Sequence, residues 1–428
     1  MFLAIENVGK LEAANIELNA ITVIAGENNS GKSTVGKVLF CIFNSLYNIS
    51  EQIGDEILAL ISGEIEAAFR SMSANLYARF DGKKLAQSFV ENKAGYLNDK
   101  KLLRQDLANL LDRNYPISRE NMTAAKLTAA TEKIFHYLDV SDSEILAVIL
   151  RNRMRAEFNM QINNLYHPEK DSKIVLAIGE TEITIQIKNN EHIDIVNHVS
   201  LDTEVIYIDD PYAVDNLHYR FTESIRDLTH REHLRSHLAN FKASISVKEV
   251  LDEIIASKKL KNIFVKINSV CPGAMTTKTS RPPHPLVYEV DNSNAAIDLI
   301  NVSTGLKAFI VIKTLLLNGC LKENGVIILD EPEKHLHPEW QLIFAEIVVL
   351  IQKEFNMHIL INTHSPYFLD AVETYSRKHG IAKKCKYYLA EDVGTTSIIY
   401  DVSGNTEKIY QKLAKPLQDL ENERYADD

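Results

Sequence analysis

Nine consecutive residues carry the clearest chemistry in this 428-residue sequence: Gly26, Glu27, Asn28, Asn29, Ser30, Gly31, Lys32, Ser33 and Thr34. Their spacing is G-x-x-x-x-G-K-[ST], in which a glycine-bearing loop turns its backbone N–H groups inward around phosphate. Gly26 and Gly31 permit the curl, and Asn28, Asn29 and Ser30 fill the loop between them. The apolar-periodic run VGKVLFCIF that follows predicts a helix whose positive dipole end faces the same anion. Lys32 is placed to meet the β- and γ-phosphates of a nucleoside triphosphate. Ser33 is placed to put its hydroxyl on Mg²⁺, and Thr34 to donate a further hydrogen bond to phosphate.

A second group supplies the complementary charges. In GVIILDEPE four apolar residues end in Asp330 and Glu331, the pattern of a buried strand that delivers two carboxylates to the edge of a sheet. There Asp330 would hold Mg²⁺ directly or through water, and Glu331 would orient and deprotonate an attacking water. Taken alone, the same pattern also fits acids that end a strand simply by reaching solvent.

These groups need elements to position them. Phe2 to Ala25 alternates apolar and polar residues on both sides of a break at Gly9-Lys10, which predicts paired strands leading into the loop. From about Asn48 to Leu165 the apolar spacing turns to three and four, in ILALISGEIEAAF, KLLRQDLANLL and ILAVILRNRMRAEFNMQI, and predicts several helices. Breaks at Asp81-Gly82, Pro116 and Asp139 to Asp142 keep them short, so no long coiled-coil arm is expected. Ser141 and Glu144 have capping-box spacing at one helix start. A hairpin about Gly179-Glu180, the strand EVIYID, helical stretches HREHLRSHL and VKEVLDEIIASK, the loop TTKTSRPPHP and the strand LVYEV follow. The last third alternates helix KAFIVIKTLLL, strand VIILD, a helix after Pro338, strand HILIN, two strands and a final helix with an acidic end ERYADD read as a solvated tail. Such alternation predicts an α/β fold with a largely parallel sheet covered by helices.

Composition bounds the function classes. Aspartate and glutamate outnumber lysine and arginine 58 to 47, giving a net charge of −11, which argues against a chain that coats nucleic acid over its whole surface. No apolar run approaches a membrane span, and the N-terminal residues lack a basic-then-apolar leader, so the expected compartment is the cytoplasm with no membrane partner. Cys41, Cys271, Cys320 and Cys385 show no metal or disulfide spacing and are expected to be reduced thiols. HREHLRSHL could meet phosphates or an acidic partner, but is better read as a solvated helix face.

Four stretches, GENNSGKST, NVSTGLK (301–307), LDEPEKHLHP (329–338) and INTHSPYFL (361–369), resemble in type and order the motifs of ABC/SMC-type ATPases. The GxNNSGKS and EPExHLHP forms are closest to the OLD-like bacterial AAA-family group. That resemblance implies an α/β P-loop ATPase head with a mixed sheet flanked by helices, plus a helical insertion. It sets the signature loop at Ser303, Thr304 and Gly305, which otherwise would read as an ordinary helix cap, and in the family this loop reaches ATP held by the other subunit. It assigns His364 as the switch histidine, Glu331 as the catalytic base, and His337-Pro338 to the loop crossing the dimer interface; it places no metal ligand at His335 or His337. The glutamine that usually follows the second core strand has no clear equivalent, and Asp209 or Asp210 after EVIYID stands nearest that slot.

The organisation expected is therefore an N-terminal ATPase part over 1–47, a helical insertion with a β-hairpin over 48–200, a connecting strand and helical lobe over 201–300, and the C-terminal ATPase part over 301–428. The function implied is hydrolysis of ATP with Mg²⁺ as a dimer switch, in a homodimer or higher homo-oligomer. The chain would govern a separately encoded effector, a nuclease or toxin, in bacterial anti-phage defence, because the stretch after His364 is too short for a nuclease domain. An SMC-like DNA clamp is the alternative, and a transporter's ATP-binding subunit is disfavoured by the insertion.

Overall fold

The computed structural model describes residues 1–72, 82–114, 124–215, 217, 229–239, 260–277, 286–291 and 296–425. The helix expected at VKEVLDEIIASK, the break at Pro116, Asp81 and most of the TTKTSRPPHP loop lie outside the described residues. The chain divides into two compact units, one of Met1–Tyr47 with Leu150–Asp428 and one of Asn48–Ile149.

In the first unit, strands β1 (Phe2–Val8) and β2 (Leu11–Glu17) pair antiparallel across the turn at Gly9, then β3 (Ile21–Gly26) leads through the loop into helix α1 (Lys32–Leu46). Every residue of β3 is buried, as expected for a strand covered on both faces, where a continuous apolar run replaces alternation. The hairpin β4 (Ser172–Ile178) and β5 (Thr181–Lys188), grouped with the insertion on sequence, pairs through β4 with β1 and so extends the main sheet. A further strand, β6 (His192–Val196), pairs with β5. The sheet is completed by β7 (Val205–Ile208), β11 (Val326–Asp330), β12 (His358–Thr363), β13 (Lys386–Val393) and β14 (Thr396–Asp401). Its order is β6-β5-β4-β1-β2-β14-β13-β3-β12-β11-β7, eleven strands among the described residues.

The sheet is mixed. Strands β7, β11, β12, β3 and β13 run parallel, β14 pairs antiparallel with β13 and parallel with β2, and the pairings along β6-β5-β4-β1-β2 are antiparallel. A small second sheet joins β8 (Gly273–Thr277), β9 (Leu286–Val290) and β10 (Ala296–Asp298). Helices α8 (His230–Ala239), α9 (260–268), α10 (Thr304–Leu317), α11 (Pro338–Phe355), α12 (Pro366–Lys378) and α13 (Glu407–Tyr425) complete this unit. The ends of ERYADD within the described residues belong to α13, which runs to Tyr425. Helix α12 is absent from the sequence reading, which passes from HILIN directly to the last strand pair. Its Ser365 accepts from the N–H of Phe368 at 3.1 Å, an N-cap ahead of Pro366 at the first helical position.

The register of the parallel core sets the site. Asp330 lies opposite Asn362, and Thr363 lies opposite Ala25, so the carboxyl ends of β11, β12 and β3 share one edge. Leu329 lies opposite Ile208, which brings Asp209 to that edge as well. Open α/β sheets bind ligands at this edge.

The second unit is helical: α2 (Ile49–Met72), α3 (Gly82–Glu91), α4 (Lys93–Asn98), α5 (Lys100–Asn114), α6 (Ala124–Asp139) and the start of α7 (Asp142–Glu157). Within it Lys133 pairs with Glu64 at 3.0 Å, tying α6 to α2. The capping box forms as expected: the N–H of Glu144 donates to Ser141 Oγ at 3.3 Å, and the N–H of Ser141 donates to Glu144 Oε2 at 3.0 Å. Among the described residues no helix is long and apolar enough to cross a membrane.

Candidate functional site

The loop from Gly26 to Gly31 connects the buried β3 to α1 and needs glycine at both ends. At Gly26 a Cβ would stand 2.6 Å from the carbonyl oxygen of Ala390 on β13. Gly31 has φ +81°, and a Cβ there would stand 2.6 Å from Leu11 Cδ2. Between them Asn29 adopts φ +60°, and Ser30 Oγ donates to the carbonyl of Glu27 at 2.7 Å. Asn28 is exposed on the turn, and the N–H of Thr34 donates to the carbonyl of Gly31 at 3.1 Å.

Lys32 is buried, and its ammonium donates to the carbonyls of Gly26 at 3.0 Å and Glu27 at 2.7 Å. Burial lowers its pKa, opposed by the negative charges of Glu331, Asp330 and Glu333. The loop is also anchored from outside. Lys10 donates to the carbonyl of Asn29 at 2.7 Å and pairs with Asp392 of β13 at 2.8 Å.

At the end of β11, Asp330 is buried and doubly held: Tyr207 OH donates to Oδ2 at 2.7 Å and Asn362 Nδ2 donates to Oδ1 at 3.1 Å. Glu331 follows at φ +52°, a left-handed conformation rare for a residue with a side chain, and its N–H donates to the carbonyl of Asn362 at 2.8 Å. Its carboxylate meets Lys334, and His364 Nδ1 stands 3.2 Å from Oε1. Burial would raise the Glu331 pKa, but Lys334, His364 and Lys32 outweigh it and hold it low, so the carboxylate is ionised. His364 is partly exposed just beyond β12, with its N–H donating to Glu333 Oε1 at 3.2 Å.

Glu333 is a residue that sequence reasoning left without a role, although it lies inside the quoted EPEKHLHP stretch. It is buried, takes a 2.6 Å hydrogen bond from Thr363 Oγ1, and burial raises its pKa. Tyr207 and Asn362 were also missed; each sits in an apolar strand run with no local signal to distinguish it.

Ser33, Asp330 and Glu331 open onto one cavity of about 660 Å³, together with Tyr207, Asp209 and Asp210. Its size and polar lining suit a ligand with several charged oxygens. The two acids nearest the missing glutamine differ in role. Asp210 caps a short 3₁₀ turn, accepting from the N–H of Tyr212 at 2.8 Å. Asp209 accepts from Arg231 at 2.6 Å and stands 3.1 Å from His230 Nε2. Burial would raise its pKa, but these partners draw it down to about 2.

The helix HREHLRSHL presents a solvated face through Arg231, Glu232 and Arg235, but its histidines do not belong to that face. His230 and His233 are buried, and His230 stacks on Tyr207 with ring centroids 4.3 Å apart while Nδ1 meets Glu157 at 2.7 Å. Arg231 is exposed and its side chain pairs with Asp209.

A second pocket, of about 340 Å³, is lined by Ser303, Thr304, Gly305, His335, His337 and Trp340. Ser303 is the N-cap of α10, is exposed, and makes no side-chain capping bond, while Thr304 Oγ1 pairs with Tyr212 OH at 3.0 Å. An exposed hydroxyl beside unpaired helix-start N–H groups is the local geometry of an anion site. His337 caps α11, accepting from the N–H of Glu339 at 3.4 Å.

The chain is similar to several known proteins. Over 203 residues the chain is 26% identical to the Retron Ec83 probable ATPase of Escherichia coli, a match covering 44% of this chain and 35% of that protein. Over 106 residues it is 33% identical to the Retron Vc95 probable ATPase of Vibrio cholerae serotype O1 biovar El Tor, covering 22% and 20%. The chain thus spans about a third or less of the length of the curated relatives it matches. Among solved structures, an SMC head bound to the C-winged helix domain of ScpA is similar at 12% identity and TM-score 0.45, covering 95% of this chain and 98% of that one. An SMC head with an extended coiled coil, bound to the C-terminal domain of ScpA derived from Pyrococcus furiosus, is similar at 13% and 0.41, covering 99% and 98%. The family described as AAA ATPase domain (AAA_15) matches residues 1–369, and the chain belongs to that family.

Proposed function

We infer that this chain binds ATP with Mg²⁺ on Gly26 to Thr34 and hydrolyses it to ADP and phosphate. The observation that carries this reading is the shared cavity of Ser33, Asp330 and Glu331, with buried Lys32 electrostatically coupled to both acids. The donor set fits Mg²⁺, a hard ion that takes hydroxyl, carboxylate and water oxygens: Ser33 and Asp330 would hold it. When bound, the ion neutralises charge on the terminal phosphates. Glu331, ionised and facing the cavity, is the base that takes the proton of the attacking water, and His364 beside it senses the γ-phosphate. Backbone N–H groups of the Gly26–Gly31 loop and the start of α1 orient the phosphate chain.

Ser303, Thr304 and Gly305 would complete a second chain's site, so ATP joins two copies and hydrolysis releases them. The exposed, uncapped Ser303 hydroxyl supports this assignment. Following the likeness to retron ATPases and the resemblance of the motifs to OLD-like ATPases, the switch governs a separately encoded effector, a nuclease or toxin, in anti-phage defence.

The test is phosphate release by the purified chain with and without Mg²⁺, followed by Glu331→Gln. That variant is expected to keep ATP while losing turnover by at least about a hundredfold. Wild-type turnover in Glu331→Gln would remove it as the base. Light scattering of Glu331→Gln with ATP should show a dimer that Ser303→Arg abolishes while ATP binding persists; an ATP-independent mass in both would refute the two-chain site. Adding duplex DNA across a salt series separates a DNA-clamping role, which predicts stimulation that fades with salt.

A further inference from the structure

Away from the nucleotide site, three side chains converge on one point in a way that hydrogen bonding alone does not explain. His233 and His237, four residues apart on α8, share a helix face, and Glu204 immediately precedes β7. Glu204 Oε2 stands 3.0 Å from His233 Nε2 and 3.2 Å from His237 Nε2, and the two imidazole nitrogens stand 3.2 Å from each other. This triangle is nearly equilateral. Among the described residues it is the one cluster of histidine, cysteine, aspartate or glutamate with metal-ligand convergence.

Proton placement leaves the triangle in conflict. Asn44 of α1 is fixed in orientation, because its Oδ1 accepts from the N–H of Val205 at 2.7 Å and its Nδ2 donates to the carbonyl of Val205 at 3.1 Å. That same Nδ2 lies 3.3 Å from His233 Nε2. With Glu204 ionised, a proton on His233 Nε2 satisfies the carboxylate but confronts the amide N–H of Asn44. A bare Nε2 accepts from Asn44 but confronts the carboxylate. A cation between the three atoms relieves the opposition between the bare His233 Nε2 and the Glu204 carboxylate.

The geometry points to a zinc site in which Glu204, His233 and His237 bind Zn²⁺ through Oε2 and the two Nε2 atoms. With Zn–N and Zn–O bonds of about 2.0–2.1 Å at tetrahedral angles, donor atoms lie about 3.3 Å apart, within a few tenths of the observed edges. Two imidazoles and one carboxylate are a donor set that zinc takes readily. Glu204 also shares a small cavity with Cys320. A bound ion would clamp α8 to the start of β7. Such a clamp braces β7, whose Tyr207 holds Asp330. The site neither uses nor requires the ATPase reading.

The test uses the full chain without a histidine tag, exposed to excess Zn²⁺, passed over a gel-filtration column and assayed for metal by mass spectrometry. The expected result is stoichiometric zinc in the wild type and at least tenfold less in His237→Gln. Wild type that emerges free of zinc, or His237→Gln that retains as much, overturns the site. Should His237→Gln fail to fold, Co²⁺ loaded into the wild type gives an independent reading. Intense visible bands mark the tetrahedral ion, and the weak spectrum of hydrated octahedral cobalt overturns the proposal.

Discussion

Tyr207 on β7 donates its phenolic hydrogen to Asp330 on the neighbouring β11 at 2.7 Å, while the face of its ring lies against His230. One residue thereby joins the carboxylate at the sheet edge to the charge network of α8. Tyr207→Phe keeps the stacking and removes the donor. It is expected to fold and to lose roughly 1–3 kcal/mol of stability, the range for a buried hydrogen bond to a charged group. Urea unfolding checks this; an unchanged midpoint and slope would mean that the bond carries no net stability.

His230 makes stability depend on alkaline pH. Burial alone would lower its pKa, but Asp209 and Glu157 raise it from 6.5 to about 9. Because the folded value lies above the unfolded one, the contribution is fully present below about 6.5 and is lost as pH rises through about 9. Unfolding free energy should therefore fall across that window by an amount on the order of 3 kcal/mol. His230→Gln should flatten the alkaline slope. An identical slope in the variant would assign the effect elsewhere.

Gly31→Ala tests the phosphate loop without touching a charged group. Its φ of +81° and the 2.6 Å approach to Leu11 both oppose a side chain. The variant is expected to lose about 1–3 kcal/mol of stability and at least about tenfold in nucleotide affinity, read by titration with a fluorescent ATP analogue. Affinity equal to wild type would show that the loop conformation is not what holds nucleotide.

Ser141→Ala removes one half of the capping box at the start of α7. The expected cost is about 1 kcal/mol, with faster amide exchange confined to the first turn of that helix. Protection equal to wild type there would mean that Glu144 alone secures the turn.

Much of this was legible in the residues because the signals are local. The strand, loop and helix around Gly26–Thr34 follow from one short run of apolar spacing and two glycines, and Ser141 with Glu144 declares a helix start within four positions. What eluded sequence reasoning depends on partners distant in the chain. Tyr207 reads as one more apolar strand residue until β7 is set beside β11, and Asn362 likewise until β12 is. His230 and His233 looked solvent-facing because Arg231, Glu232 and Arg235 surround them in sequence, yet Glu157 and Glu204 from other elements supply the charges that let them be buried. Helix α12 is hard to read from sequence because the residues of its capped start, Ser365 and Pro366, lie inside the motif THSPYFL.

The backbone at Glu331 has a further meaning. A left-handed φ of +52° penalises every L side chain by about 1 kcal/mol relative to glycine. Glycine at this position would make the folded chain tougher while erasing the carboxylate next to His364. Sturdiness and chemistry pull in opposite directions at this one residue, so a variant selected purely for heat resistance would be drawn to abandon it.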